Sequence, residues 1–260
     1  MPLFNDAAVK YAPWSMSKAA VAISCPFRHR LKYIDRVKGT EAAARSSARI
    51  GIAAHETLEW VLKGKYNLKE ALRRAVIKTM LTTTEMDEVF ALAYSLQAFT
   101  ERLDKFKKKH GVTEQTVELK FGLTADFERV PFFDKSGKLF FRGVWDLCLR
   151  VQDHYLVIVD HKSGQIKDIS EYHDQLSMYA LAGLSIFPGI TRVQSAVNFM
   201  QDATGLHWGS PQSEQDIHEK ILPWFVGHLN KAGELAGQNV PHKGYWCSFC
   251  EYTKMCPLSS

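Results

Sequence analysis

Tyr155-Leu156-Val157-Ile158-Val159-Asp160-His161-Lys162 is an apolar run that stops abruptly at an acid and a base. Its β-branched residues and its length predict a buried strand over 155–162. Strand side chains alternate, so Asp160 and Lys162 project together while His161 points to the other face. Upstream, Arg142-Gly143-Val144-Trp145-Asp146 lies in a second predicted strand over 138–151, and Asp146 can reach the same spot. Downstream, Gln175 and Tyr179 are four residues apart on a predicted helix over 169–184, so both share one face. Two carboxylates and an ammonium on one sheet edge suit a hard divalent cation and a water held beside a phosphate.

The chain as a whole reads as one ordinary globular protein. At 260 residues, with 46% hydrophobic and 23% charged content, it can bury a large core as a single domain. The net charge of +5 permits a polyanionic partner without requiring one. Apolar runs are strand-sized and interrupted, which argues against a membrane span. Met1-Pro2-Leu3-Phe4-Asn5-Asp6 has no basic start leading into an apolar stretch, so a cytoplasmic location is expected.

Around the deciding stretch, helices are predicted first. One runs from Ser15 or Ser17 toward Tyr33 and is interrupted at Cys25-Pro26; others cover 51–63, 68–80 and 84–109. The last of these ends in Lys105, Lys107, Lys108, Lys109 and His110, with Gly111 as C-cap. Strands follow over 115–123, 138–151 and 155–162, with turns at Ser136-Gly137 and Gln152-Asp153. A helix opened by Ser170 occupies 169–184, strands occupy 193–201 and 205–210, and a helix over 213–236 leads into a cysteine-rich tail. Helices, a meander, a helix, more strands and a closing helix make a mixed α/β fold.

Five cysteines point to metal rather than disulfides. Cys148 sits inside a strand pattern and reads as a small core residue. Cys247-Ser248-Phe249-Cys250 is a C-x-x-C followed closely by Cys256, while Cys25 is far upstream. Cys25 and Cys256 each precede a proline, as in some iron–sulfur ligand runs. Four thiolates also suit zinc, but zinc usually takes two close pairs, so one remote cysteine plus three clustered ones favours a [4Fe–4S] cluster.

Taken together, these residues resemble the PD-(D/E)XK nuclease superfamily, and within it the RecB-like exonuclease group that carries an iron–sulfur cluster. CRISPR-adaptation nucleases and several phage and repair exonucleases belong to that group. The resemblance rests on Gly51-Ile52-Ala53-Ala54-His55-Glu56, Gly143 to Asp146, Asp160 to Lys162, Gln175 to Tyr179, and the frame Cys25, Cys247, Cys250, Cys256. It implies a restriction-endonuclease-like core, a mixed central sheet flanked by helices, over about 48–212. Residues 15–35 and 240–257 would form an iron–sulfur subdomain tying the N-terminal helix to the C-terminal tail, and 64–112 a helical insertion, all in a single nuclease domain 1–260. It implies Mg²⁺ or Mn²⁺ held by His55, Asp146, Asp160 and the carbonyl of His161. Lys162 would sit by the attacking water, and Gln175 and Tyr179 would position the site and DNA. Glu118 ranks second, as an outer ligand or a partner of Lys120 or Arg142.

The expected activity is a metal-dependent deoxyribonuclease, an exonuclease acting on DNA ends or single strands in recombination, repair or CRISPR adaptation. The alternative is a non-cleaving DNA-binding or adaptor module of the same fold. There is no G-x-x-x-x-G-K-[ST], so unwinding would come from a separate helicase or recombination partner. Arg28, Arg30, Lys32, Arg45, Arg49 and the Lys105–Lys109 run are candidates for backbone contacts, and Phe27, Tyr33, Trp145 and Trp246 for base stacking.

Overall fold

A computed structural model describes residues 2–40 and 46–258. The chain divides into two compact units. One comprises Met1–Ala43, Lys120–Gly143 and His218–Ser260, the other Ala44–Leu119 and Val144–Ile217. The early helices are α1 (Asp6–Lys10), α2 (Met16–Ser24), α3 (Pro26–His29), α4 (Ser46–Leu62), α5 (Leu68–Lys78), α6 (Thr83–Ala91) and α7 (Ala93–His110). Then come β1 (Val112–Leu123), β2 (Arg129–Val130), β3 (Phe141–Val151), β4 (Tyr155–Lys162), α8 (His173–Ile186) and β5 (Arg192–Phe199). The chain closes with β6 (His207–Trp208), β7 (Gln212–Ser213), α9 (Glu214–Asp216) and α10 (Leu222–Leu235).

The second unit holds the deciding strand. Its strands lie in the order β1-β3-β4-β5-β6. β3 and β4 run antiparallel from Leu147↔Val159 to Val151↔Tyr155. β5 then returns parallel to β4, from Tyr155↔Arg192 to Lys162↔Phe199. A parallel pair needs a long crossover, which α8 supplies. Alternation assigns the faces: Leu147, Leu149, Val151, Val157 and Val159 join the core with Leu58, Leu72, Val76, Leu96 and Phe99 of α4, α5 and α7. Leu156 and Ile158 face the other way and meet α8, where a Cβ on Gly183 would come within 2.9 Å of Leu156. Both faces are covered, which is why β4 reads as an unbroken apolar run. The result is a mixed sheet flanked by helices, as the sequence predicts.

Three boundaries differ from expectation. The helix predicted over 84–109 is two helices. Thr82 and Glu85 form a capping box that opens α6, and Leu92 then turns the chain before α7. Val89, Leu92 and Leu96 stay buried on one side across that turn. At α8 it is Asp168, not Ser170, that caps the first turn, accepting from the Ser170 amide at 2.8 Å. The helix predicted over 213–236 widens into a π turn over Ile217–Ile221 ahead of Pro223.

In the first unit, Phe4, Phe127, Phe140, Phe141 and Phe225 form an aromatic core, with Phe4 and Phe140 centroids 4.2 Å apart. α2 stops at Cys25, whose extended φ of −153° is what a following proline imposes. The cysteine tail is tied to the N-terminal segment through Glu251. Its carboxylate takes Arg28 at 2.7 Å and Lys32 at 3.0 Å, and its carbonyl accepts from the Thr40 amide at 2.9 Å. The Tyr252 hydroxyl donates to the Val37 carbonyl at 3.1 Å. Among the described residues, no helix is long and apolar enough to cross a membrane.

Leu58 is fully buried in α4 against the sheet core. Leu58→Ala should cost about 2–5 kcal/mol, read as a lower urea midpoint at constant slope. An unchanged midpoint would place α4 outside the cooperative core.

Candidate active site

β4 delivers Asp160 and Lys162 to one point. Lys162 Nζ lies 2.7 Å from Asp160 Oδ2. The other Asp160 oxygen, Oδ1, accepts from Gln175 Nε2 and from the Tyr179 hydroxyl, each at 2.8 Å. Gln175 turns its carbonyl oxygen to Lys162 Nζ at 3.2 Å. The one-turn spacing on α8 therefore does two jobs: Tyr179 and Gln175 together fix the carboxylate, and Gln175 alone also holds the ammonium.

Asp146 enters from β3 where the ladder stops. The last pair of the ladder is Leu147↔Val159, and beyond it the His161 amide donates to Asp146 Oδ2 at 2.6 Å. A side chain thus takes a backbone donor near the point where the two strands cease to pair. His55 on α4 places Nδ1 3.6 Å from Asp146 Oδ1. Gly51 explains how α4 gets so close. It lies one turn before His55, and a Cβ there would sit 2.7 Å from Ser163 Oγ, immediately after Lys162.

Glu118 completes the group. Ligand atoms of His55, Glu118 and Asp146 all lie within 4.8 Å of one another. Among the described residues, Glu118 makes no ion pair with Lys120 or Arg142; its charged neighbours are His55, Asp146, Glu59 and Lys63. Its φ of +57° within β1 is a left-handed conformation for a non-glycine residue, which costs about 1–3 kcal/mol and breaks the strand's side-chain alternation. Asp160 is not in that tight group but lines the same cavity as His55 and Asp146, an open hollow of about 420 Å³. Lys162, Lys167, Tyr172 and the segment Ser163 to Gln165 are also in its wall.

The charges are strongly coupled. Burial pushes the Asp160 carboxyl up and Asp146 adds to this, while Lys162 and the Tyr179 hydroxyl offset only part. Burial also pushes Asp146 up, but His55 and the positive field and amide of His161 outweigh it and hold Asp146 below its ordinary range. Burial lowers His55, yet the hydrogen bond and charge of Asp146, with Asp160 and Glu118, bring it above its usual value. Glu118 is pushed up to about 7 by burial, then by Asp146 and Glu59. Three carboxylates and an imidazole, beside Lys162 and Lys167, form an oxygen-rich donor set that suits a hard divalent cation. The His161 imidazole is buried against Phe99 and Asn198 Nδ2, and burial lowers it to about 4. What His161 can offer to the cavity is its backbone carbonyl.

Family comparison agrees with this geometry. A model of the PD-(D/E)XK nuclease superfamily matches residues 13–257. The chain belongs to the PD-(D/E)XK nuclease superfamily. Such nucleases typically use divalent metal ions, and the family implies DNA as substrate. No curated protein matches the chain. Among solved structures, SSO0001 aligns with a TM-score of 0.34 and 13% identity, covering 83% of this chain and 86% of its own. A likeness that distant carries no argument.

Other expected sites fall differently. Trp145 is fully buried and Phe27 nearly so, which removes both as base-stacking surfaces. Arg28 and Lys32 are committed to Glu251, Arg30 to Asp35 and Arg49 to Glu85, so these nuclease side chains are not free cations; Arg45 lies outside the described residues. Tyr172 was not singled out by sequence. Its ring lies under Lys162 Nζ at 5.4 Å and braces on Phe199. Among the described residues, the cysteine sulfurs form no group as tight as the His55 set. Cys25, Cys247, Cys250 and Cys256 do belong to one unit. The Gly244 amide approaches Cys247 Sγ at 3.4 Å and the Tyr252 amide approaches Cys250 Sγ at 3.5 Å.

Because Glu118 titrates near 7 in the folded chain and near 4.5 when unfolded, the native state binds more protons between those values. Its contribution to stability is complete below about 4.5 and is lost as pH rises through about 7. In chelator-treated protein, the melting temperature of wild type should fall relative to Glu118→Gln between about pH 5 and pH 8. Mn²⁺ should restore the wild type and not the variant. Parallel pH profiles for the two proteins would remove Glu118 from the charged group.

Proposed function

We propose that the chain is a metal-dependent deoxyribonuclease hydrolysing phosphodiester bonds, acting as an exonuclease of the RecB-like group in recombination, repair or CRISPR adaptation. The carrying observation is the convergence of Asp146, Asp160 and Lys162, with His55, on one open cavity. In this reading His55, Asp146, Asp160, Glu118 and the His161 carbonyl hold Mg²⁺ or Mn²⁺, a histidine in the set favouring Mn²⁺. When bound, the ions neutralise phosphate charge and lower the pKa of a water toward neutrality.

The chain's own residues supply the rest. Lys162 places positive charge where negative charge develops at the phosphorus. Gln175 holds that ammonium at its oxygen end and Asp160 at its nitrogen end, so both groups arrive pre-aimed. Tyr179 keeps a proton on its hydroxyl, because burial and the Asp160 charge hold it well above the ordinary phenol range. It therefore remains a donor to Asp160 at any working pH. The segment Ser163 to Gln165 forms part of the wall of this open cavity. With no nucleotide-driven motor motif in the chain, unwinding falls to a separate helicase or recombination partner.

A [4Fe–4S] cluster on Cys25, Cys247, Cys250 and Cys256 belongs to the same reading, with 15–35 and 240–257 as its subdomain. Support comes from the shared unit, the two amides directed at sulfur, and the closeness of Cys25 to Cys250, which adds to the upward push of burial on that thiol. Closing a loop of more than two hundred residues would stabilise the fold largely through the unfolded state.

Labelled linear and circular DNAs incubated with Mn²⁺ test the activity. Wild type should shorten linear DNA from its ends, Asp160→Asn should be inactive, and Lys162→Ala should lose about 10²–10³-fold in rate. Tight DNA binding with no cleavage by wild type would convert the reading to a non-cleaving adaptor module. Anaerobically purified protein should be brown, with a visible band bleached by dithionite and absent from Cys250→Ala. Colourless protein containing stoichiometric zinc would replace the cluster with a zinc staple.

A further inference from the structure

Three cationic side chains and two histidines crowd a concavity at the opposite end of β4 from Lys162. Lys108, Lys109 and His110 come from the last turn of α7, His154 from the β3–β4 turn, and Arg192 from the start of β5. Gly111, Val151, Gln152 and Tyr155 complete a hollow of about 520 Å³, and no carboxylate lines it. Asp153 lies in the same turn but outside the wall.

Lysines at a helix C-terminus commonly do no more than offset the helix dipole in water. That accounts for the three residues on α7. It does not account for His154 and Arg192, which come from the sheet, where no helix end calls for them. Nor is the charge neutralised locally. Lys107 takes Asp104 at 2.9 Å, whereas Lys108, Lys109 and Arg192 make no ion pair among the described residues. Arg192 instead lies over the Tyr155 ring at 5.5 Å, which holds its guanidinium in place.

The hollow is also held rigid by backbone bonds. The Gln152 amide donates to the Gly111 carbonyl at 3.3 Å, and the Thr113 hydroxyl to the Gln152 carbonyl at 3.4 Å. The amides of Thr191 and Arg192 both donate to the His154 carbonyl, at 2.9 and 3.2 Å. Three chain segments are thereby laced together, so the backbone that carries these side chains is already fixed before a ligand arrives.

We propose that this concavity is a second anchor for the DNA backbone, gripping phosphates remote from the cleavage cavity. The identity of the polyanion rests on the nuclease reading above. From Tyr155 to Lys162 a strand rises roughly 23 Å, the span of about seven base pairs of duplex. A substrate must exceed that length to occupy both places.

The test uses Lys108→Gln/Lys109→Gln/Arg192→Gln beside wild type, with binding to duplexes of about 30 and about 6 base pairs followed by anisotropy in chelator over a salt series. On the long duplex, the slope of log Kd against log salt should be smaller by about 2–3 for the variant, with weaker binding. On the short duplex, which cannot occupy both places at once, wild type should bind more weakly than on the long one. Arg192→Gln alone, which keeps α7 untouched, should remove about one unit of slope and guards against misfolding of the triple variant. Equal slopes for variant and wild type on the long duplex, or equal wild-type affinity for both lengths, overturn the anchor. A wild type that binds but cuts no DNA with Mn²⁺ overturns the nuclease reading and leaves the anchor standing.

Discussion

Two carboxylates, Asp146 and Asp160, share one cavity with Lys162 and Lys167, and Glu118 adds a third acid beside them. Like charges brought this close out of bulk water cannot all ionise freely. The surroundings divide them. Asp146 is given an amide and an imidazole and stays ionised; Asp160 is buried most deeply and is pushed up, with Lys162 compensating in part. Much of the unit serves this arrangement. β4 ends where it does so that Asp160 and Lys162 emerge at the sheet edge, α8 is positioned to brace them, and α4 brings the imidazole.

The site was largely legible because its residues follow strict periodicities. Asp160 and Lys162 obey the two-residue repeat of β4, and Gln175 and Tyr179 the one-turn repeat of α8. Glu118 was legible only as a secondary candidate, an outer ligand or a salt-bridge partner. Its left-handed φ abandons the alternation from which its direction would be read, and an isolated glutamate near a lysine looks like solvated strand surface. Tyr172 was hidden for a related reason, since it ends a short 3-10 turn whose facing cannot be counted in helical steps. The break at Leu92 has no glycine or proline to announce it, although the capping box at Thr82 and Glu85 does stand in the sequence. Basic residues were the least readable: a lysine or arginine carries no mark of whether an acid will meet it. Arg28, Lys32 and Arg49 each found one, while Lys108 and Lys109 did not.

The cysteine tail shows a second limit of reading by motif. Its spacing directs attention to sulfur, yet Glu251, lying between two of those cysteines, carries contacts of its own to the N-terminal segment through Arg28, Lys32 and Thr40. Nothing in C-x-x-C spacing foretells that role. The tail is therefore attached to the N-terminal segment by ordinary polar chemistry as well as by whatever the thiols hold.

Gly51 touches neither substrate nor ion, yet the reach of His55 depends on it, because the missing side chain lets α4 rest against Ser163 one turn before the imidazole. It acts as the fulcrum of a lever whose working end is the Nδ1 of His55. An added methyl would meet Ser163 Oγ at 2.7 Å, so that either this hydroxyl turns aside or α4 shifts and carries the imidazole with it. Glycine at this position is thus a mechanical part of the site, and a search for diverged relatives gains more from the Gly-to-His interval than from the histidine alone.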